Sequence, residues 1–364
     1  MLDFYSTNSL SWDQLEYNTD ELQNLHYGLI HVGLPTAVDM NESILPNIKK
    51  EFLPKNYELC KNGDVAFADA SEDTNEVAKA IEFVNLSNRN VVCGLHTIHG
   101  RDNHNLTSVG FKGYAFASES FHNQIRRIAQ GTKIFSISCK NFTECYIGIP
   151  SKEEQTKIAK LLGLIDERIS TQIRIIEDLK QLRSALYYQI FSNIQGNWVT
   201  LKMVGDIAKG KQINGSELLD EGMYYVMNGG ITPSGYYNNY NTPANTISIS
   251  EGGNSCGYVQ YNSVPFWSGG HCYNLRIKKS FDSQYIFHFL KFKELDIMAL
   301  RIGSGLPNIQ KKDLEHFQVL VPDFTTQKKV AGLFVLINKK EETEMKLMNA
   351  WKMQKKYLLQ KLFI

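Results

Sequence analysis

GTKIFSISCKNFTECYIGIPSKEEQTKIAKLLGLID (Gly131–Asp166) and GSGLPNIQKKDLEHFQVLVPDFTTQKKVAGLFVLIN (Gly303–Asn338) decide the architecture of this chain. The two stretches align without a gap, Pro150 on Pro322, an offset of 172 residues. Gly131 pairs with Gly303, Ile137 with Ile309, Lys140 with Lys312, Gln155 with Gln327, Lys157 with Lys329 and Ala159 with Ala331. The register continues through Ile165/Ile337, Lys180/Lys352 and Leu186/Leu358 to Phe191/Phe363. Two unrelated amphipathic helices could share the apolar pairs by chance. They would not share the Gly, the Pro and the Gln in one register, so the chain is a tandem of two similar units.

Working outward from the repeat, each copy leads into a long helix. Ser151 is a good N-cap, and Glu154 three residues on completes a capping box. Apolar residues then recur at Ile158, Leu162, Ile165, Ile169, Ile173, Ile176, Leu179, Leu182, Leu186 and Ile190, always three or four apart. Some 40 residues at 1.5 Å rise make a rod of roughly 60 Å, whose narrow stripe suits a coiled-coil seam. The second rod starts at Asp323, with Thr326 in place of the box Glu. Its stripe runs Val330, Phe334, Ile337, Met345, Met348, Trp351, Leu358, Leu362, and Glu341 and Lys355 interrupt it. Neither rod has a burial partner of its own, so the two are expected to pack on each other, antiparallel. The alternatives are two unrelated surface helices or helices that join two chains.

The expected fold class is α+β: two mixed, β-rich domains with two long helices packed as an antiparallel coiled coil. The boundaries are 1–150 for the first domain, 151–196 for the first helix, 197–322 for the second domain and 323–364 for the second helix. In the second domain Tyr224-Tyr-Val-Met, Thr246-Ile-Ser-Ile-Ser, Gly257-Tyr-Val-Gln-Tyr and Tyr273-Asn-Leu-Arg-Ile read as strands between Gly- and Asn-rich turns. A helical stretch is expected from Ser283 to Leu300. In the first domain strands are expected at Asp64–Ala68, Ile81–Leu86 and Val91–Ile98, and a helix from Ser120 to Ala129. Outside the repeat the two bodies share almost no sequence, which suggests like scaffolds reading unlike things.

The 364 residues are 43% hydrophobic and 21% charged, and no run is long and apolar enough to span a bilayer. The start MLDFYSTNSLSWDQ has no basic region before an apolar run, so no secretory signal is expected. Six scattered cysteines without a CxxC fit a reduced, cytoplasmic setting. Net charge is +1. Residues 1–150 carry 12 Lys+Arg against 18 Asp+Glu, and residues 323–364 carry 9 against 4. The bulk field is therefore too weak to steer nucleic acid, and any DNA affinity must come from locally placed cations or from a partner.

The segment IPSKEEQTKIAKLLGLIDERI resembles the spacer-helix signature of type I restriction-modification specificity subunits. The first body, with FYSTNSLSW, HYGLIH, GDVAFADASED and GLHTIHGRD, resembles one recurrent type of target-recognition domain. The second, with YYVMNGGITPSGYY, TISISEGGNSCGYV and PFWSGGHCYNLRI, resembles another. In one respect the chain departs from the pattern. Asn197-Trp-Val-Thr-Leu-Lys-Met-Val-Gly-Asp-Ile opens the second domain as the family does, and nothing equivalent stands before the first, which is expected to lack its opening segment. The resemblance implies a non-catalytic subunit in which each domain binds one half of a split double-stranded DNA site and the helices act as a ruler. It implies two methyltransferase subunits carrying S-adenosylmethionine, and restriction-translocase subunits using ATP and Mg²⁺. It implies no cofactor in this chain.

Glycine-rich turns let backbone amides approach phosphates, and Asn, Arg and Lys offer donors to base edges. The candidate DNA contacts are Ser71, Thr97, Arg101 and Lys133 in the first domain. In the second they are Lys209, Lys211, Asn228, Tyr236, Asn254, Ser255 and His271. His96, His99 and His104 invite a metal reading, but HxxHxxxxH broken by Gly94 and Gly100 is no standard zinc helix, and no metal is expected. Asp64, Asp69, Glu72 and Asp73 could hold Mg²⁺ for a nuclease, although acidic turns after strands are common. No phosphate loop and no Asn-Pro-Pro-aromatic run occurs. Besides the DNA-reading subunit, a coiled-coil adaptor that binds no DNA and a metal-dependent nuclease remain as alternatives.

Overall fold

The computed structural model describes every residue except Asp20, Ser87, Asn88, Ser304, Leu306 and Ile364, so two positions of the second repeat copy lie outside the described residues. It falls into two compact units, Met1–Ile173 with Lys346–Ile364, and Arg174–Met345. The long helices, Lys152–Asn193 and Phe324–Leu362, each contribute a segment to both units.

The first unit is built on two main sheets, beside a two-stranded ribbon of Ala70–Ser71 with Phe135–Ser136. In the larger, Asp3–Tyr5, Thr97–Arg101, Val65–Ala68, Ala80–Val84 and Ala37–Asp39 lie side by side in that order. The smaller runs Leu15–Glu16, Asn47–Ile48, Gln23–Leu25, Val91–Cys93. The stretch read as one strand, Val91–Ile98, is thus two strands in two different sheets. The chain turns between them at His96, whose φ is +54°. The helix expected at Ser120–Ala129 spans Glu119–Ile128, capped by Ser118, whose hydroxyl accepts from the Phe121 N–H.

The second unit has a four-stranded antiparallel sheet in the order Gly205–Lys209, Cys272–Ile277, Thr246–Ser250, Val259–Asn262. Ile207, Tyr273, Leu275, Ile247, Ile249 and Val259 face the core, where the helix Ser283–Phe292 covers them. The helical stretch expected to reach Leu300 is two helices broken at Lys293, the second being Glu294–Ala299. Asn197–Thr200 pairs with Gln318–Val321, so the strand that opens this domain closes on the one that leads into the second long helix. The equivalent residues of the first unit, 146–149, lie in no strand. There the Gln124 amide bonds both the N–H and the carbonyl of Tyr146, each at 2.8 Å.

The repeat proves to be a joint. Gln155 and Gln327 are buried, and each donates Nε2 to the carbonyl of the preceding proline, Pro150 at 2.8 Å and Pro322 at 2.9 Å. Each accepts on Oε1 from a backbone N–H of its domain, Ser108 at 2.7 Å and Asp282 at 2.9 Å. The glutamine pins the start of the helix to the domain. Ser151 and Asp323 cap the helices by accepting from the N–H of Glu154 and of Thr326. The return bond from the Glu154 side chain that would complete a capping box is absent among the described residues.

In the first unit, Ile158 and Leu162 of the first long helix pack on Leu358, Leu362 and Phe363 at the end of the second. In the second unit, Tyr187, Ile190 and Phe191 pack on Val330, Phe334 and Ile337 near the start of the second. The helices are therefore antiparallel. The two polar interruptions also find their reason here. Lys355 bonds Asp166 at 2.6 Å, and Glu341 bonds Arg183, which also reaches Asn338 at 3.1 Å. These two contacts sit at matching repeat positions, so the stripe is broken where the seam carries a polar link.

Candidate nucleic-acid interface

In the second unit, strand pairing gathers a polar face. Opposite the buried face of the four-stranded sheet, Asp206 pairs with Arg276 and Ala208 with Asn274. These residues with Lys209 and Lys211 line an open groove of about 340 Å³. Lys211 and Arg276 are exposed and carry no ion pair among the described residues. Asn274, which lines the groove, has its Oδ1 buried without a hydrogen-bond partner among the described residues, as has Ser268 Oγ. Arg276 and Asn274 were missed by the sequence reading. Their signal was the alternation in Tyr273-Asn-Leu-Arg-Ile, which sends them to the face away from the core.

Three loops meet next to Lys209 of this groove. Lys209 bonds Glu251 at 2.6 Å, His271 stands 3.8 Å from the same carboxylate, and Asn228 Oδ1 accepts from the His271 N–H at 3.3 Å. Lys209, Lys211, Asn228 and His271 are thus neighbours. Tyr236 is exposed on the strand Gly235–Tyr237, Asn254 is exposed and Ser255 half-buried in the turn after Thr246–Ser250. The glycines here have a different purpose from the one the sequence suggested. A Cβ on Gly210 would sit 2.1 Å from the Gly269 carbonyl, and one on Gly269 would sit 2.3 Å from Asn228 Oδ1. They let the loops approach one another rather than a phosphate.

In the first unit the candidates separate. Lys133 is exposed in a hairpin closed by reciprocal backbone bonds between Gln130 and Ser136, 3.0 and 2.8 Å. Gly131 takes φ +136° there, and a Cβ on it would meet the Ile134 carbonyl. In the second unit Ile302 and Asn308 exchange the same two backbone bonds, 2.8 and 3.0 Å, with Gly303 at φ +96°. Ser71 pairs with Phe135 beside the hairpin, and its hydroxyl accepts from the Asp73 N–H. Thr97 and Arg101, expected as DNA contacts, are buried. Thr97 donates to the Gly94 carbonyl. Arg101 donates four of its five N–H groups to Asp64, Glu58 and the Leu59 carbonyl, so its guanidinium is committed inside the unit.

The acidic residues considered for a nuclease are likewise engaged or dispersed. Asp64 accepts from His99 at 2.7 Å, from Arg101 and from the Lys61 N–H. Burial pushes its carboxyl up, but these bonds outweigh it and hold the group below the usual aspartate value. Asp69 faces His96 at 3.0 Å, and Glu72 and Asp73 are exposed. His104 is exposed as well, so the three histidines do not converge.

The Asp69–His96 pair has a counterpart. Asp69 N–H donates to the His96 carbonyl, and Glu251 N–H to the His271 carbonyl. Ile137 N–H donates to the Asp69 carbonyl, and Ile309 N–H to the Glu251 carbonyl. Each unit therefore sets a carboxylate and a histidine at the same corner beside the same reciprocal backbone bonds.

Residues 196–350 match the family model described as the type I restriction modification DNA specificity domain. A protein of Mycoplasma genitalium named as a type I specificity subunit is 27% identical over 300 residues, 77% of this chain and 78% of that one. The chain is thus similar, over much of its length, to specificity subunits of type I restriction-modification systems. The crystal structure of a type I restriction-modification S subunit from M. genitalium superposes with TM-score 0.66 at 21% identity, covering 100% of this chain and 94% of that one. A chain from a study of complex assembly and conformational transition of the type I system gives TM-score 0.55 at 17% identity, with 89% of each covered. These two likenesses show a shared fold. Among the described residues, no helix is long and apolar enough to cross a membrane.

Proposed function

We propose that this chain is a type I specificity subunit, that each of its units reads one half of a split, asymmetric double-stranded DNA site, and that the helical pair fixes the gap between the halves. The duplicated joint carries this reading. The same buried glutamine, proline carbonyl, glycine with its reciprocal backbone bonds and acid–histidine corner mount two domains whose exposed faces differ. Two like mounts with unlike faces suit two different half-sites held at a set spacing. In the second unit the groove with Lys209, Lys211 and Arg276 is the proposed contact surface, with Asn228, Tyr236, Asn254, Ser255 and His271 around it. In the first unit Lys133 and Ser71 at the hairpin take that place. The chain works as a non-catalytic scaffold in the cytoplasm. Two methyltransferase subunits carrying S-adenosylmethionine dock on it and methylate adenine, and restriction-translocase subunits using ATP and Mg²⁺ join them.

The test is duplex binding by the chain assembled with its methyltransferase subunits, followed by fluorescence anisotropy across a salt series. Changing Lys211 and Arg276 together to Ala is expected to reduce the slope of log K against log salt by about 2, one per lost phosphate contact. An unchanged slope would remove the groove from the interface. Association with protein alone, insensitive to salt, would favour the adaptor reading.

A further inference from the structure

Cys60, Cys93 and His99 come from three separate stretches of the first unit and meet in its interior. Cys93 ends the strand Val91–Cys93 of the smaller sheet, and His99 lies mid-strand in Thr97–Arg101 of the larger one. Cys60 sits in the segment that leads to Val65–Ala68, its N–H donating to the Val91 carbonyl at 2.8 Å. Their exposures are 6%, 1% and 0%. The two Sγ atoms are 3.6 Å apart. That is far beyond a disulfide bond of about 2.05 Å. It is close to the roughly 3.7 Å that two thiolates keep on a tetrahedral zinc with Zn–S of about 2.3 Å. A ring nitrogen of His99 and both sulfurs lie within 4.8 Å of one another.

His99 gives a second, independent indication. Its Nε2 is held by Asp64 Oδ2 at 2.7 Å, while its Nδ1 is buried with no hydrogen-bond partner among the described residues. A neutral imidazole with Nε2–H on a carboxylate keeps its free lone pair on Nδ1. Carboxylate, histidine and an open nitrogen in that order is how metal-bound histidines are oriented. Asp64 is itself fixed by Arg101, whose guanidinium also stacks 4.4 Å from the Tyr5 ring centroid.

We propose that Cys60, Cys93 and His99 bind one thiophilic metal ion, zinc by ligand type, which ties the two sheets of the first unit together. On binding, each thiol releases its proton to solvent, giving two thiolates and a neutral imidazole around the divalent ion and leaving a fourth position for water. The site is structural, and neither His96 nor His104 contributes. It replaces the expectation, drawn from spacing, that this chain holds no metal. Spacing could not show the site, because its ligands lie on two sheets and a connecting segment.

The experiment is elemental analysis of the full chain, purified without chelators from zinc-supplemented culture. About one zinc per chain is expected. Exchange for Co²⁺ should give near-ultraviolet thiolate-to-cobalt bands and the visible bands of a four-coordinate ion. Cys93→Ser should weaken the thiolate bands by about half, and Cys60→Ser with Cys93→Ser should abolish metal binding. Cys139→Ser, at an exposed thiol, should leave it unchanged. If the double variant fails to fold, metal content and cobalt spectrum of the unaltered chain still decide. Stoichiometric copper(I) would support the site and change its ion. A chain without stoichiometric metal, a Cys60–Cys93 disulfide in the purified protein, or metal retained by a folded double variant would overturn the proposal.

Discussion

The strands Thr97–Arg101 and Cys272–Ile277 hold the same place in their sheets, each between an N-terminal strand and the strand that ends at the acid–histidine corner. By register Ile98 corresponds to Tyr273, each in the core of its own unit, and His99 and Arg101 correspond to Asn274 and Arg276 on the opposite face. In the second unit that face is an open groove with an exposed arginine. In the first unit it is filled. Asp64, Glu58, Cys60 and Cys93 surround His99 and Arg101, and the arginine is 6% exposed. In the first unit this face also carries Ala66, Ala68 and Ile81 of a buried apolar cluster, so that sheet is packed on both sides, whereas in the second unit the corresponding face is open.

The joints themselves differ in depth. Phe191 touches five aromatic rings, those of Tyr187, Tyr285, Phe289, Phe292 and Phe334, at centroid distances of 5.3–5.9 Å. Its repeat partner Phe363 meets Phe111 at 5.6 Å, next to the last residue. Phe191→Ala is expected to destabilise the second unit by about 3–5 kcal/mol. Phe363→Ala should cost less, since Phe363 makes one ring contact where Phe191 makes five. Urea denaturation of both variants measures the contrast, and equal losses would break it.

The glutamines sharpen the likeness instead. Gln155→Leu and Gln327→Leu should each cost about 2 kcal/mol, because each leaves a buried N–H and a proline carbonyl without partners. Hydrogen exchange at the Ser108 and Asp282 amides should rise in the respective variant. A large effect in only one unit would show that the joint is a repeat in sequence but not in energetics.

A smaller difference is a matter of pH. His288 in the second unit is buried against Tyr187, whose hydroxyl lies 2.8 Å from Nδ1. Burial, aided by the Arg183 charge, pushes its pKa down to about 3. The unfolded chain therefore takes up a proton that the folded chain refuses between about pH 6.5 and 3. This contribution to stability is complete above pH 6.5 and is lost as pH falls through that window. At pH 5.5 the loss is about 1 kcal/mol. His288→Gln should flatten this part of the stability–pH curve. An unchanged curve would mean that His288 is not the group that titrates. Tyr114 takes the corresponding place in the first unit, bonded to Asp166, and does not titrate in this range.

The helices and the repeat were legible because their signals are local or periodic. A 3.6-residue stripe, a capping serine and a shared Gly–Pro–Gln register need no knowledge of distant partners. The breaks at Glu341 and Lys355 looked like faults, since Arg183 and Asp166 lie on the other helix. Arg101 looked like a free cation for the same reason. Nothing near it in sequence shows that Asp64 and Glu58 fold over it. Arg276 was visible as an outward position of a strand but could not be placed in a groove without the pairing of Gly205–Lys209 on Cys272–Ile277. The split at His96 was hidden because two apolar runs three residues apart read as one strand.

The most direct test of one reading face per unit is the pattern of N6-methyladenine across a host genome when the chain is co-expressed with its methyltransferase subunit. A single asymmetric motif in two parts, separated by a constant gap, is the expected result. The variant with Lys211 and Arg276 changed to Ala should relax one part and leave the other. A motif that is uninterrupted, symmetric or confined to one half would contradict the claim that the two units read two different sequences at a fixed spacing.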